Sequence, residues 1–170
     1  ESVDGTCYTI EEYKTKVNLL QTDKNGSVVI LYSNDKGKQD AYIQAAQKKG
    51  YDVLVFNSPI DNHFISQLEQ KLEKTQVKRV DADIVSKLIE KDEQLELVIS
   101  EEQATKVKSI FEQAINNENM NVEVIAAQED ELPVMVTQDE FARRMKEMAK
   151  NSGGGGMFNF YGAMPDTYKV

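Results

Sequence analysis

The amino-acid sequence predicts an α/β unit followed by an α+β unit: a small three-layer α/β/α unit with a short parallel sheet, then a helix, a small sheet and an amphipathic helix. Three observations predict it. Up to about residue 89, short apolar runs alternate with stretches of helical period. Successive runs are ten or more residues apart, which suits right-handed crossovers between parallel strands. After the charge run Glu90-Lys91-Asp92-Glu93-Gln94 the pattern changes. We therefore expect residues 1–90 to form the first unit and 91–170 the second.

The first helix is expected after Thr9, because Thr9-Ile10-Glu11-Glu12 has capping-box spacing and Ile10, Tyr13, Val17 and Leu20 recur on one face. Asn25-Gly26 marks a turn. Ser27 to Ser33 is short, β-branched and apolar on both faces, as a strand buried on both sides should be. A helix from about Gln39 to Lys49 follows, with Ala41, Tyr42, Ala45 and Ala46 as its inner side and Gly50 as its stop. A second strand spans Tyr51 to Phe56. Ser58 and Pro59 then open a helix on which Ile60, Phe64, Leu68 and Leu72 repeat every four residues. A third strand near Val77 to Val80 and a closing helix with Ile84, Val85, Leu88 and Ile89 complete the unit.

In the second unit Ser100 and Gln103 have capping-box spacing, and Ala104, Val107, Phe111, Ala114 and Ile115 form a helical stripe ending near Asn116-Asn117. Val122 to Ala126 and Pro133 to Thr137 read as strands joined by the acidic loop Gln128-Glu129-Asp130-Glu131. Thr137 and Glu140 have the spacing to cap a last helix, with Phe141, Met145 and Met148 on one side and Arg143, Arg144, Lys146 and Glu147 on the other. Asn151-Ser152 and four glycines then lead to Met157-Phe158-Asn159-Phe160-Tyr161.

Composition narrows the function. A net charge of −9 repels nucleic-acid phosphates, so a nucleic-acid partner is not expected. The longest apolar run, Val28 to Tyr32, is far short of the roughly 20 residues of a membrane-spanning helix. The acidic start Glu1-Ser2-Val3-Asp4 is unlike a secretory signal, and an opening Glu1 in place of Met suggests a piece of a longer protein. The single Cys7 makes neither an internal disulfide nor, alone, a metal site, which suits a reducing cytoplasm.

Polar chemistry is thinly signalled. His63, the only histidine, lies in a helix without a serine or cysteine at recognisable spacing, so a surface or packing role is expected. The loop Asn34-Asp35-Lys36-Gly37-Lys38-Gln39 has one glycine where a phosphate loop needs several. Asp81, Asp83, Asp92 and Glu93 read as a solvated acidic face before they read as a metal site. The stronger signal is apolar. Phe141, Met145, Met148, Met157, Phe158, Phe160, Tyr161 and Met164 hold four of the six methionines within 20 residues, and methionine with aromatics suits surfaces that accept many partners. The helix stripe fits core packing equally well; the cluster behind the glycines fits an exposed or partner-covered patch better.

Several segments also resemble, in collinear order, bacterial chaperones of the heat-shock protein 90 family, HtpG type. Tyr8-Thr9-Ile10-Glu11-Glu12-Tyr13 with the strand Val28 to Tyr32, Lys48-Lys49-Gly50-Tyr51-Asp52-Val53-Leu54 and Pro59-Ile60-Asp61 resemble the family's late middle domain. Leu132 to Phe141 with Arg143-Arg144-Met145-Lys146-Glu147-Met148 resembles the start of its C-terminal domain, and Gly156 to Gly162 with Met164-Pro165-Asp166 looks like the Bacteroidetes form of the following loop.

The resemblance implies a fragment that handles unfolded or partly folded client proteins. Phe141, Met145, Met148, Met157, Phe158, Phe160 and Tyr161 would make the contacts, with Arg143, Arg144 and Lys146 at the rim. No residue matches the family's ATP-binding domain or its γ-phosphate arginine, so the chain itself is expected to be no enzyme and to hold no cofactor. ATP, magnesium and homodimerization are expected of the full-length parent. Two other readings stand beside this one: a small α/β nucleotide-binding domain or enzyme with its site at the strand carboxyl ends near Ser33 and Asn57, and a purely structural domain that buries the Met/Phe cluster.

Overall fold

The computed structural model describes residues 1–58, 60–91, 98–117, 120–126, 133–138, 140, 143–146 and 168–169. The chain divides into two compact units, Glu1–Asp92 and Glu93–Val170.

The first unit is built on the strand β1 (Val28–Ser33), every residue of which is buried. It lies between β2 (Val53–Val55) and β3 (Thr75–Arg79), parallel to both, in the order β2-β1-β3. Because strand side chains alternate, β1 feeds two cores. Val29 and Leu31 pack with Ile43 and Ala46 of the helix α2 (Asp40–Lys48) and with Val85 and Leu88 of the single turn α4 (Val85–Leu88). Val28, Ile30 and Tyr32 pack with Tyr13 and Val17 of α1 (Ile10–Val17) and Ile65 of α3 (Asp61–Lys71). This is the three-layer α/β/α arrangement. From β1 the chain moves one way through α2 to β2, then back through α3 to β3, so right-handed crossovers must place α2 and α3 on opposite faces. Leu31, Ile65, Leu88 and Ile89 are sealed from solvent, and burying each contributes about 1.5–3 kcal/mol.

The local signals set most boundaries. Thr9 and Glu12 form the expected capping box, with the Thr9 N–H donating to Glu12 Oε2 at 2.8 Å. Gly50 ends the turn after α2 at φ +76°, where a Cβ would meet Leu20 Cδ1 at 3.1 Å. The β2 edge of the sheet is covered by the chain's first residues, and on the β3 edge one N–H is capped by a side chain. Residues 1–3 lie antiparallel to β2, Val3 N–H donating to Val53 O and Val55 N–H to Glu1 O, each at 2.9 Å. On β3, Val77 N–H donates to the Glu69 carboxylate at 2.8 Å.

Two helix faces differ from the periodic reading. On α2 the buried residues are Ile43 and Ala46, while Ala41 is exposed. On α3 they are Ile65 and Leu68, leaving Ile60 67% and Phe64 44% exposed. Ser58 is no N-cap for α3: Ile60 holds that position, and the Asp61 carboxylate accepts from Ser58 N–H at 2.8 Å. A four-residue repeat drifts around a 3.6-residue helix, so the set at 60, 64, 68 and 72 cannot all face the sheet.

In the second unit, α5 (Glu101–Ile115) has the expected Ser100/Gln103 capping box and ends at Asn116 in the left-handed region, φ 45°. None of its residues is buried. The small sheet has the order β4-β6-β5, with β4 (Met120–Asn121) parallel and β5 (Thr137–Gln138) antiparallel to β6 (Tyr168–Lys169). The strand expected at Val122 to Ala126 lies instead at Met120–Asn121, and the one expected at Pro133 to Thr137 is Thr137–Gln138. Short apolar stretches fix strand existence better than strand register, because pairing partners choose the hydrogen-bonded residues. Residues 140 and 143–146 are helical.

Candidate functional site

Ligands of open parallel sheets usually sit at the carboxyl ends of the strands, where the chain switches direction. Here that place is the mouth between Ser33 of β1 and Arg79 of β3, and the chain fills it with its own side chains. Gln39, the residue preceding α2 and almost sealed from solvent, turns its amide away from the helix. Its Oε1 accepts from Ser33 Oγ at 2.8 Å, Asn34 N–H at 3.1 Å and Asp35 N–H at 3.3 Å. Its Nε2 donates to Asp81 Oδ2 at 2.9 Å, and the same carboxylate takes the Arg79 guanidinium, with Nη2 at 3.0 Å. The donors that would cradle a phosphate are thus spent on one amide oxygen. Asp35 Oδ1 closes the rest of the loop by accepting from Gly37 and Lys38 N–H, both at 3.1 Å. The Lys38 backbone N–H, then the Lys38 side chain and, least, the Gly37 N–H hold the Asp35 carboxyl below its usual range. This closed network argues against the nucleotide-site reading. One local signal points to it: glutamine is a poor helix N-cap, so its presence before α2 calls for another partner.

A second polar cluster sits at the opposite end of the sheet. Asp52 accepts from Ser2 Oγ at 2.9 Å and from the Lys16 ammonium, which also donates to Tyr8 OH at 2.8 Å and lies 4.5 Å from that ring's centre. Asp52 N–H donates to Gln21 Oε1 at 2.6 Å, while Gln21 Nε2 donates to Val29 O at 2.8 Å. Burial pulls the Lys16 ammonium down, but Asp52 and Tyr8 outweigh it and hold it above the ordinary lysine range. Beside them the buried Tyr13 hydroxyl faces Gln21 outside hydrogen-bond geometry, and burial, then the Asp52 charge, push the phenol up. This cluster ties the chain's first residues, α1 and β2 together.

In the second unit the Glu140 carboxylate accepts from Arg143 Nη2 at 2.7 Å and Arg144 Nε at 2.6 Å. Burial pushes Glu140 up, yet the two guanidinium charges prevail and hold it below the ordinary glutamate value. Arg143 and Arg144 therefore do not form the open rim expected of them: Arg143 is only 4% exposed. An arginine buried beside a carboxylate keeps its charge compensated, and a helix spacing of three and four residues puts all three groups together.

Of the proposed contact residues, Met145 is described, half-buried on this helical stretch. Phe141, Met148, Met157, Phe158, Phe160 and Tyr161 lie outside the described residues. His63 is exposed on α3. Among the described residues no cluster of metal-ligating side chains occurs, and no helix is long and apolar enough to cross a membrane.

No family model matches the chain. It is, however, 41% identical over 170 residues to the chaperone protein HtpG of Bacteroides fragilis strain 638R, an alignment covering 98% of this chain. It is likewise 41% identical over 174 residues to HtpG of Porphyromonas gingivalis ATCC 33277, covering 99% of the chain, and 39% identical over 170 residues to that of Bacteroides thetaiotaomicron VPI-5482, covering 98%. The chain spans about a quarter of the length of these relatives, 24–25%. One expectation is corrected by this kinship. The chain was expected to be no enzyme because no ATP-binding motif lies between Glu1 and Val170. The likeness to HtpG chaperones is at odds with that expectation, which therefore does not stand.

Proposed function

We infer that this chain, whose sequence belongs with the HtpG type of the heat-shock protein 90 family, is the client-handling and coupling part of an ATP-dependent chaperone that assists protein folding. The observation that supports this is the kinship itself: 39–41% identity maintained over at least 98% of the chain. ATP with magnesium, and a homodimer, belong in this reading to the longer protein of which such a segment is a part. The client surface is assigned to Phe141, Met145, Met148, Met157, Phe158, Phe160 and Tyr161, which would hold non-native chains by low-specificity apolar contact without any covalent step. The first unit would serve as a stiff body that passes nucleotide-driven movement to that surface.

The test is suppression of aggregation of a heat-denatured model protein. The chain is compared with a variant in which Met157, Phe158, Phe160 and Tyr161 are all serine, both verified as folded by circular dichroism. Protection by the parent and its loss in the variant would support the assignment. Equal behaviour of two folded proteins would remove the cluster from the client surface, and unfolding of the variant would make it core.

A further inference from the structure

We propose that the cavity between α1 and α3 receives one apolar side chain of an extended, positively charged peptide segment. The cavity has a volume of about 170 Å³, with Tyr13, Ile30, Leu54, Phe56, Phe64 and Leu68 among its walls. A closed apolar cavity of about 150 Å³ is enough to hold a benzene ring, so one aromatic or branched aliphatic side chain matches this space. The walls are stiff and aromatic: Phe56 stands edge-on to Phe64 at 5.9 Å between ring centres and tilts against Tyr32 at 5.5 Å. The mouth is open, since Phe64 and Ile10 on either side are 44% and 38% exposed. Apolar surface left half-open next to a space of side-chain size lowers its free energy when another apolar group covers it.

Charge says which segment. Glu1 lines the cavity, Glu11 and Glu12 line the shelf that adjoins it through Tyr8, and Asp61 opens the helix that carries Phe64. Among the described residues none of these four carboxylates is in an ion pair; the Glu12 and Asp61 side chains accept only from local groups of Thr9 and Ser58. The one lysine on the shelf, Lys16, is already held by Asp52 and Tyr8. An incoming acidic segment meets uncompensated like charge, and a basic one meets its complement. The assignment of this pocket does not depend on the chaperone reading.

The test uses the intact 170-residue chain and three blocked tripeptides, Lys-Phe-Lys, Glu-Phe-Glu and Lys-Ser-Lys, titrated while the amide resonances are followed by NMR. The expected result is saturable shifts for Lys-Phe-Lys centred on Leu54, Phe56 and Phe64, with little response to the other two. Phe64→Ser and Ile10→Ser, both at half-exposed positions, should each weaken binding, Phe64→Ser by about tenfold because most of one aromatic contact is lost. Should Phe64→Ser fail to fold, Ile10→Ser decides. Equal response to Glu-Phe-Glu or Lys-Ser-Lys, shifts centred elsewhere, or unchanged affinity in a folded variant would overturn the proposal.

Discussion

The Gln39 side-chain oxygen accepts the Ser33 hydroxyl at 2.8 Å, and through this bond the loop after β1 is pinned to the strand it leaves. Both residues are buried, and Gln39 carries the link on to Asp81 beyond β3.

Gln39→Ala should therefore destabilise the first unit by about 2–4 kcal/mol, since a buried hydroxyl and backbone N–H groups lose their acceptor together. Urea unfolding of the two proteins measures it. A loss under about 0.5 kcal/mol, the range of ordinary surface substitutions, would mean that solvent replaces the amide and the network is incidental.

Tyr13→Phe is expected to leave stability unchanged or to raise it by up to about 1 kcal/mol. The ring keeps its contacts with the sheet, while a buried hydroxyl without a hydrogen-bond partner is removed. A clear fall in thermal midpoint would show that the hydroxyl is bonded in solution.

Lys16 and Asp52 should be coupled by about 1 kcal/mol, above the lower end for exposed pairs because the Asp52 side chain is only 12% exposed. A double-mutant cycle of Lys16→Met and Asp52→Asn supplies the number. Salt should reduce it only in part, as the carboxylate is shielded from solvent.

Glu140 makes the second unit sensitive to acid. Its folded pKa lies below the unfolded value of about 4.3, so its contribution is fully present above that pH. It is lost as pH falls through the folded value, when protonation leaves two guanidinium groups facing a neutral acid. Glu140→Gln should cost up to about 3–5 kcal/mol at neutral pH and flatten the acid limb of the profile. Near-ultraviolet circular dichroism against pH, parent beside variant, tests both statements; parallel acid limbs would exclude this carboxylate as their source.

How far the sequence could be read differs from residue to residue. Thr9 with Glu12 and Ser100 with Gln103 announced their helix starts because a capping box is local: side chain and backbone lie within one turn. The strand at Val28–Ser33 was legible for a similar reason, as a run apolar on both faces can only be buried on both. Arg143 and Arg144 were read as an open rim, whereas the Glu140 carboxylate holds both and Arg143 is buried. The cavity was not read at all. Its walls come from Tyr13, Leu54 and Phe64, which no local pattern relates.

The sequence by itself determined the parallel α/β class of the first unit, most of its helix starts and the kinship with HtpG chaperones. These depend on short-range periodicity, capping chemistry and the order of residues. Only the tertiary structure decided that Gln39 fills the mouth of the sheet, that Ile65 rather than Phe64 faces the core, and that Lys16 meets Asp52 across 36 positions of chain. Those outcomes depend on which elements pack together, and the free energy of a buried contact is fixed by partners distant in sequence that no local pattern encodes.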